Sequence, residues 1–317
     1  MSGSILFCTD DCWDDCGDRL VAIDPTLEVV RLVGDEVVTS TDLDRVNIAF
    51  YSADAWPNRS TAFFTALRNL PNLRWFQTFS AGTDRPVFGK IRDLGITVTS
   101  GAGAAAPSIA HTVMLYLIAL SRHLPAVTHD QANRVWNPRE SVDLPGLKLG
   151  IVGLGAIGVE VARLAEPFGI DVIGLRRSVR GDEPCTTWTD DRLPELLAWA
   201  DAIAVTAPLT DATRGLFDKG AFALMKPGAW FINVGRGEIV DEIALIASLS
   251  SGHLGGAGLD VFAVEPLPTD SPLWSHPNVI ITPHSSGSTE SARRRSTDVF
   301  VDNFQRFTNG QELVNTT

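Results

Sequence analysis

Short apolar runs recur along the first hundred residues and are separated by polar or mixed stretches. Those with the length and composition of strands cover residues 4–8, 28–33, 47–51, 73–78 and 96–99. Strand-length runs that alternate with helical or loop stretches are typical of a parallel sheet with connecting helices. We therefore expect a first α/β lobe here.

A second series of such runs begins at Leu147, Asp171, Ala202, Ala229, Ala257 and Val279. Between the two series, residues 107–123 predict a long helix with a proline in its first turn. Residues 289–307 have helical periodicity and predict a C-terminal helix. The pattern as a whole predicts an α/β protein with two lobes.

A glycine-rich turn opens the second series. The apolar run 147–152 leads into Gly153, Gly155 and Gly158, which form GxGxxG, and residues 159–168 continue with helical periodicity. Between a strand and a helix, this motif predicts a dinucleotide site in which free N–H groups at the helix start receive a pyrophosphate. We expect Ala156 and Ile157 to supply those N–H groups.

The next strand of the series ends in a basic segment. An NAD site usually has an acidic residue about 20 positions beyond the glycines, to bind the ribose 2′-hydroxyl. Here Arg176, Arg177 and Ser178 stand at that point, Arg176 being 18 residues after Gly158. Guanidinium and hydroxyl groups suit a 2′-phosphate, so we expect NADP(H). A solvated basic loop that still accepts NAD(H) is the alternative.

Three polar residues downstream have distinctive settings, in NVGRGEIVD, GLDVFAVEPLP and ITPHSSGST. Arg236 offers a permanent cation between two glycines, which suits the carboxylate and carbonyl oxygens of a 2-oxo acid. His284 is a candidate acid and base, and Glu265 is a candidate partner that would orient its imidazole. Such a set fits reduction of a 2-oxo acid by hydride transfer.

Composition restricts the other possibilities. The chain has 317 residues, of which 44% are hydrophobic and 20% charged, enough for two domains. Its net charge of −12 argues against a nucleic-acid partner. The longest strongly apolar stretch, 113–120, is too short to span a membrane, and no signal sequence is evident, so we expect a cytoplasmic protein.

Cysteines cluster near the N-terminus, at Cys8, Cys12 and Cys16. The cluster contains no CxxC pair and has no nearby histidine to complete a tetrahedral zinc site. We therefore expect no metal, and reduced thiols in the loop and helix after the first strand.

The motifs QTFSAGTD, GLKLGIVGLGAIG, APLTDATRGL, FINVGRGEIVD, GLDVFAVEP and TPHSSGST, in this order, resemble those of the D-isomer-specific 2-hydroxyacid dehydrogenase family. The resemblance runs from about Thr78 to about Arg295. It implies that Arg236, Glu265 and His284 are the catalytic set and that Asp260 helps to hold the nicotinamide carboxamide. It also assigns Pro208 and Val234 to the cofactor site.

The same resemblance implies the substrate contacts and the architecture. Backbone N–H groups at Ala81 and Gly82 would bind the substrate carboxylate, and Asp54 and Trp56 would close over its side group. Two Rossmann-like or flavodoxin-like parallel-sheet domains are implied, with a cleft between them. The substrate domain would comprise residues 1–100 and 287–317, and the dinucleotide-binding domain residues 101–286. Homodimerisation, in which the segment around Trp136 takes part, is implied as well.

Within the family, the chain resembles the branch of NADP-dependent glyoxylate and hydroxypyruvate reductases, which implies a small 2-oxo acid as substrate. Two other functions on this scaffold stay open. One is a non-catalytic, dinucleotide-sensing protein like the family's transcriptional corepressors. The other is a phosphite- or formate-type dehydrogenase, although formate-type members have Gln where this chain has Glu265.

Overall fold

The computed structural model describes residues 3–34, 38, 40–68 and 70–317. The chain divides into two compact units, one formed by Met1–Ala105 with Ser288–Thr317 and the other by Ala106–Gly287. Each unit has its own parallel sheet. The α/β class and the two parallel sheets predicted from the apolar runs are confirmed.

The sheet of the first unit has five parallel strands in the order β2-β1-β3-β4-β5, the flavodoxin-like order. The strands are β1 (Ile5–Thr9), β2 (Glu28–Leu32), β3 (Ile48–Tyr51), β4 (Trp75–Thr78) and β5 (Thr97–Ser100). The helices between them are α1 (Asp10–Ile23), α2 (Ser40–Leu43), α3 (Ser60–Leu67) and α4 (Pro86–Asp93). A short 3-10 turn, Ala53–Ala55, follows β3.

The second unit has seven parallel strands in the order β12-β11-β10-β9-β6-β7-β8. They are β6 (Lys148–Val152), β7 (Asp171–Leu175), β8 (Thr186–Trp188), β9 (Ala202–Val205), β10 (Trp230–Asn233), β11 (Gly256–Leu259) and β12 (Val279–Ile281). The order reverses between β6 and β9, which is where doubly wound sheets bind their ligands.

The helices of this unit are α5 (Ala106–Ser121), α6 (Leu124–Ala132), α7 (Ala156–Ala165), α8 (Leu193–Trp199), α9 (Lys219–Leu224) and α10 (Glu242–Ser250). Short 3-10 turns cover Glu166–Phe168, Asp190–Arg192, Gly237–Ile239 and Pro272–Ser275. The central strands are buried on both faces, as strands covered by helices must be.

The C-terminal helix, α11 (Glu290–Thr308), belongs to the first unit and covers one face of its sheet. Its Phe300 ring stacks on Phe50 at 4.1 Å and lies 5.4 Å from the Trp75 ring. Thr289 caps the helix by accepting a hydrogen bond from the Ala292 N–H. The predicted helix over 289–307 is therefore present and completes the hydrophobic core of this unit.

Some element boundaries differ from the sequence prediction. Strand β8 was not predicted, because its three residues are only partly buried and lack an apolar run. Helix α5 ends at Ser121 rather than at 123, since His123 adopts a left-handed backbone conformation (φ 53°) before α6 begins. Cys8 lies within β1 rather than in the following loop, and Cys12 and Cys16 lie in α1.

Over the described residues, no helix combines the length and apolarity that crossing a bilayer requires.

Candidate active site

The candidate residues of the second unit all lie just beyond the carboxyl ends of its parallel strands. The glycine turn follows β6, the basic segment follows β7, and Pro208 follows β9. Val234 and Arg236 follow β10, Asp260 and Glu265 follow β11, and His284 follows β12. Carboxyl ends of parallel strands share one edge of a sheet. Residues that lie far apart in the sequence, from Gly153 to His284, therefore reach the same edge.

His284 and Glu265 form a direct pair. The imidazole Nδ1 lies 2.7 Å from Glu265 Oε2, and the other carboxylate oxygen, Oε1, accepts the backbone N–H of Phe262 at 3.0 Å. The side chains are 45% and 34% exposed, respectively, so the pair is fixed by contacts yet open to a ligand. Over the described part of the chain, no hydrogen bond engages Nε2 of His284.

The Glu265 carboxylate is held in its ionised form. Burial acts to raise its pKa, but the hydrogen bond from His284, the Phe262 N–H and the nearby charges of His284 and Arg236 together lower it below the ordinary value. Glu265 is therefore a charged hydrogen-bond acceptor for the imidazole Nδ1–H.

His284 has an uncommon backbone conformation, with φ 48° in the left-handed region. Its N–H donates to the carbonyl oxygens of Asp260 at 2.8 Å and Thr282 at 3.0 Å. These contacts fix the turn that aims the imidazole at Glu265.

The Asp260 carboxylate anchors the same turn. It is 1% exposed and accepts hydrogen bonds from the N–H groups of Ser285 (2.9 Å) and Ser286 (3.2 Å), and from the Thr282 and Ser286 hydroxyls. The Thr282 hydroxyl also lies 2.6 Å from the Tyr116 hydroxyl, on helix α5. Sequence reasoning did not find Thr282, Ser286 or Tyr116, because nothing in their spacing shows that they surround Asp260.

Arg236 lies in the loop after β10, directly beside the Glu265 segment. Its Nη1 donates to the Gly235 carbonyl at 2.8 Å, and its own carbonyl accepts the Asn233 side-chain amide at 3.0 Å. A Cβ on Gly237 would lie 1.8 Å from the Phe262 carbonyl carbon, so only glycine permits the two loops to pack this closely. The structure thus brings Arg236, Glu265 and His284 to one region of the second unit.

The glycine turn after β6 has the shape that a dinucleotide requires. Gly153 has φ +101° and packs on Ala207, whereas a Cβ on Gly155 would meet no protein atom within 4 Å. The Ala156 and Ile157 N–H groups precede the first hydrogen bond of α7, from Val159 N–H to the Gly155 carbonyl at 2.9 Å. Open space in front of free helix-start donors fits the pyrophosphate of a bound dinucleotide.

The basic segment after β7 is not free of acids. Arg177 and Ser178 are exposed, but Arg176 donates from Nη1 to Glu183 Oε1 at 2.9 Å. The residues directly after the strand contain no acid. The loop nevertheless brings Glu183 back to Arg176, a contact that the sequence did not predict. The signal was present in the sequence as the acidic pair that closes RRSVRGDE.

The candidate substrate contacts lie in the first unit. Gly82 follows β4, and its carbonyl accepts the Ser80 hydroxyl at 3.0 Å, while Ala81 is exposed. Asp54 accepts the Ser52 hydroxyl at 2.6 Å, and Trp56 lies beneath the Arg85 guanidinium at 4.4 Å from its ring centroid. Their contact with a substrate stays a prediction.

The clustered cysteines are buried in the core of the first unit. Cys12 and Cys16 have their Sγ atoms 4.0 Å apart and are free thiols. Hydrogen bonding between them and burial raise the pKa of Cys16 far above its ordinary value, so it is a thiol and not a thiolate. No group of three or more His, Cys, Asp or Glu side chains among the described residues is arranged to hold a metal ion.

Comparison with known proteins gives consistent matches. The family model described as D-isomer specific 2-hydroxyacid dehydrogenase, NAD binding domain, matches residues 114–286. The chain is 37% identical over 254 residues to (S)-sulfolactate dehydrogenase of Chromohalobacter salexigens, with 78% of this chain and 82% of that protein covered. It is 36% identical over 264 residues to glyoxylate/hydroxypyruvate reductase B of Citrobacter koseri, with 80% and 81% covered.

Solved structures agree over the full length. The D-isomer specific 2-hydroxyacid dehydrogenase of Xanthobacter autotrophicus Py2, in complex with NADPH and MES, has a TM-score of 0.81 at 31% identity. The match covers 100% of this chain and 98% of that protein. The NADPH-dependent glyoxylate/hydroxypyruvate reductase of Sinorhizobium meliloti, in complex with NADP and sulfate, has a TM-score of 0.80 at 26% identity, with 99% and 98% covered. The chain therefore belongs to the D-isomer-specific 2-hydroxyacid dehydrogenase family and is an oxidoreductase that acts on CH–OH donors.

Proposed function

We propose that this protein is an NADP(H)-dependent reductase of small 2-oxo acids, with Arg236, Glu265 and His284 as its catalytic residues. The observation that carries the proposal is the 2.7 Å pair between His284 Nδ1 and Glu265 Oε2, beside the Arg236 loop. A cation, an imidazole and a carboxylate that orients it form a set able to bind a keto acid and protonate its carbonyl oxygen.

Each residue has a distinct task in this scheme. The Arg236 guanidinium binds the substrate's carboxylate and carbonyl oxygens and stabilises negative charge on the latter as it develops. Glu265, ionised because of its lowered pKa, accepts from Nδ1 and keeps Nε2 directed outward. The Nε2–H of His284 then transfers its proton to the carbonyl oxygen, which becomes the hydroxyl of the product. A nicotinamide cofactor held at the carboxyl edge of the sheet would supply the hydride for the reduction.

The dinucleotide would bind along the carboxyl edge of the seven-stranded sheet. Gly153, Gly155 and Gly158 with the Ala156 and Ile157 N–H groups would hold the pyrophosphate. Pro208 and Val234 would line the site, since they follow β9 and β10. Asp260, whose carboxylate is fully engaged by the 282–286 turn, would contribute chiefly by positioning His284; its contact with the carboxamide stays a prediction.

The preference for NADP(H) over NAD(H) rests on the loop after β7. Exposed Arg177 and Ser178, with Arg176 at their side, can bind a 2′-phosphate by charge-assisted hydrogen bonds. The similar structures from X. autotrophicus and S. meliloti contain NADPH and NADP, respectively. Reduction is then the favoured direction in a cell, where the phosphorylated cofactor is mostly reduced.

The substrate is proposed to be glyoxylate, hydroxypyruvate or another small 2-oxo acid. The relative from C. koseri is named for those two substrates, and Ala81 and Gly82 would bind the carboxylate while Asp54 and Trp56 contact the side group. A homodimer is the proposed assembly, because the helix α6 and the segment after it expose apolar side chains, Trp136 at 93%.

A spectrophotometric panel of 2-oxo acids against NADPH and NADH tests the proposal. We expect steady turnover of glyoxylate or hydroxypyruvate, higher kcat/KM with NADPH, and a reversed cofactor preference in Arg176→Asp. Absence of turnover with every 2-oxo acid, alongside intact cofactor binding, would favour a dinucleotide-sensing protein instead. A wild-type enzyme that prefers NADH would contradict the proposed cofactor.

A further inference from the structure

One buried carboxylate organises the loop that follows β7. Glu183 Oε1 accepts the Arg180 N–H at 2.7 Å and the Arg176 Nη1–H at 2.9 Å, and Oε2 accepts the Gly181 N–H at 2.7 Å. Its side chain is only 4% exposed, although Asp182 and Pro184 on either side are exposed. The carboxylate is therefore directed into its own loop and closes it.

The donors around Glu183 keep it ionised. The Arg180 N–H, the Gly181 N–H and the Arg176 guanidinium outweigh the opposing effect of burial and lower the pKa of Glu183 to about 2. Without this carboxylate, two backbone N–H groups and one guanidinium N–H would lose their acceptor. Gly181, at φ +90°, provides the turn that brings the N–H groups round to it.

An acid at this point of a dinucleotide site has two possible roles. It could accept from the ribose 2′-hydroxyl and so favour NAD, as acids at the end of the second strand do. Glu183 is unsuited to that role, because it is buried and both of its oxygens are already engaged by the loop. What it can do is hold the backbone of residues 176–181 and one edge of Arg176.

That arrangement places a fixed guanidinium beside exposed residues. The Arg176 side chain is 17% exposed, and a guanidinium has five N–H donors, so its bond to Glu183 fixes the plane of the group and leaves other donors for a ligand. Arg177 and Ser178 lie on the stretch of backbone that Glu183 closes, and both are exposed. A preorganised set of donors binds a phosphate more tightly than a mobile set does, because less ordering is needed on binding.

We propose that Glu183 is a positioning residue for cofactor specificity: it holds Arg176 and the 176–181 loop in the form that receives the 2′-phosphate of NADP(H). This inference rests on the proposed NADP(H) preference. It assigns discrimination between the two cofactors to a carboxylate that makes no contact with either.

The test compares Glu183→Ala and Glu183→Gln with Asp182→Asn, which removes an exposed neighbouring charge. For each variant, kcat and KM are measured with NADPH and NADH, together with inhibition constants for adenosine 2′,5′-bisphosphate and ADP. We expect Glu183→Ala to raise the NADPH KM and the bisphosphate inhibition constant about tenfold, the scale of one lost charge-assisted contact. The NADH KM, the ADP constant and both kcat values should stay within about twofold, and Asp182→Asn should behave as wild type.

Glu183→Gln keeps the size of the side chain but replaces one carboxylate oxygen by an NH₂ group, which cannot accept a hydrogen bond from the loop. We therefore expect a smaller rise in the NADPH KM, again without a change in the NADH KM. Should Glu183→Ala fail to fold, as thermal melting would show, Glu183→Gln decides.

A wild type that prefers NADH would defeat the proposed cofactor, whatever the variants do. A wild type that prefers NADPH, with an unchanged or higher NADPH/NADH ratio in the Glu183 variants, would defeat the positioning role alone. An equal loss for both cofactors would also defeat it, because that is what general loosening of the loop produces.

Discussion

At the scale of single residues, the imidazole of His284 is the proposed proton donor, held at Nδ1 by Glu265 at 2.7 Å. Replacing it by glutamine keeps a polar side chain of similar reach and removes the transferable proton. We expect His284→Gln to lower kcat by about 10²–10⁴-fold, the usual contribution of general acid catalysis. NADPH binding, measured by fluorescence titration, should stay within about twofold, since the proposed pyrophosphate site lies on the loop between β6 and α7.

His276→Gln is the matched control, because the imidazole of this histidine accepts a local N–H, that of Asn278 at 3.3 Å, and lies outside the proposed catalytic set. Its kcat should equal that of wild type. Unchanged kcat in His284→Gln would remove His284 from the mechanism.

Glu265 places a negative charge beside the imidazole of His284. The pKa of Glu265 is lowered, so its carboxylate stays ionised at pH values where an ordinary glutamate begins to be protonated. It loses its charge only when the pH falls through this lowered pKa. At neutral pH the imidazole of His284 therefore has a charged acceptor at Nδ1. In Glu265→Gln this charged acceptor is lost at every pH, so the acid limb of kcat/KM that protonation of Glu265 produces in the wild type should be absent.

The pH profile distinguishes this role from a purely structural one. Glutamine can still accept the Phe262 N–H, so the loop should remain in place and the melting temperature should change little. A Glu265→Gln profile that keeps the acid limb of the wild type would contradict the assigned role.

At the scale of elements, two loops must approach closely for Arg236 and Glu265 to act together. Gly237 makes that approach possible, because an added Cβ would overlap the backbone of Phe262 and Ala263. We expect Gly237→Ala to push the loops apart, to lower kcat/KM by at least about 10²-fold through misplaced catalytic groups, and to lower the melting temperature. Gly89→Ala is the control: this glycine lies within α4 with no atom near its would-be Cβ, and alanine there should preserve activity. Retained wild-type kcat/KM in Gly237→Ala would show that the loop spacing is not required.

Two glycines of the strand-turn-helix unit β6–α7 allow the effects on stability and on cofactor binding to be measured separately. Gly155 has a backbone conformation that alanine can adopt and open space in front of it, so Gly155→Ala should leave the melting temperature unchanged. The added methyl group would nevertheless stand where a pyrophosphate must approach, and we expect the KM for NADPH and for NADH to rise about tenfold each. Gly153→Ala, by contrast, should destabilise the fold, since its Cβ would lie 2.5 Å from Ala207 Cα. Unaltered KM values in Gly155→Ala would place the dinucleotide elsewhere.

Elements with strong local signals were predictable from the sequence. The apolar runs of the two sheets, the GxGxxG turn and the long α5 depend on burial and on backbone preferences that single segments carry. Strand β8 was missed because its pairing with β7, and not its own hydrophobicity, defines it. Glu183 was overlooked for a related reason: the contact with Arg176 depends on a turn at Gly181 that sequence spacing alone does not show.

At the scale of the whole molecule, charge and chemistry point in different directions. The chain carries a net charge of −12, which repels anionic cofactors and keto acids at long range. In the proposed function, binding depends on local groups such as Arg236, the arginines after β7 and the N-terminus of α7. This division was predictable from composition and motifs, whereas the partners of each arginine required the three-dimensional structure.

The proposed homodimer can be tested at the surface formed by α6 and the segment after it. None of the side chains of α6 is buried, and the following segment exposes Val135 at 53% and Trp136 at 93%. Exposing a tryptophan this fully is unfavourable in water, and tryptophan is among the residues that contribute most when interfaces form. We expect light scattering to give twice the mass of one chain, and Trp136→Ser to raise the dimer dissociation constant by at least about tenfold.

Trp274→Ser provides the comparison for this variant. Trp274 is also exposed, at 53%, but its indole N–H is already engaged by the Pro268 carbonyl at 2.9 Å, so its loss should leave the dissociation constant unchanged. A monomeric mass for the wild-type chain at micromolar concentration would disprove the homodimer outright. A dimer that is weakened by Trp274→Ser and not by Trp136→Ser would instead locate the interface on another face of the second unit, away from α6.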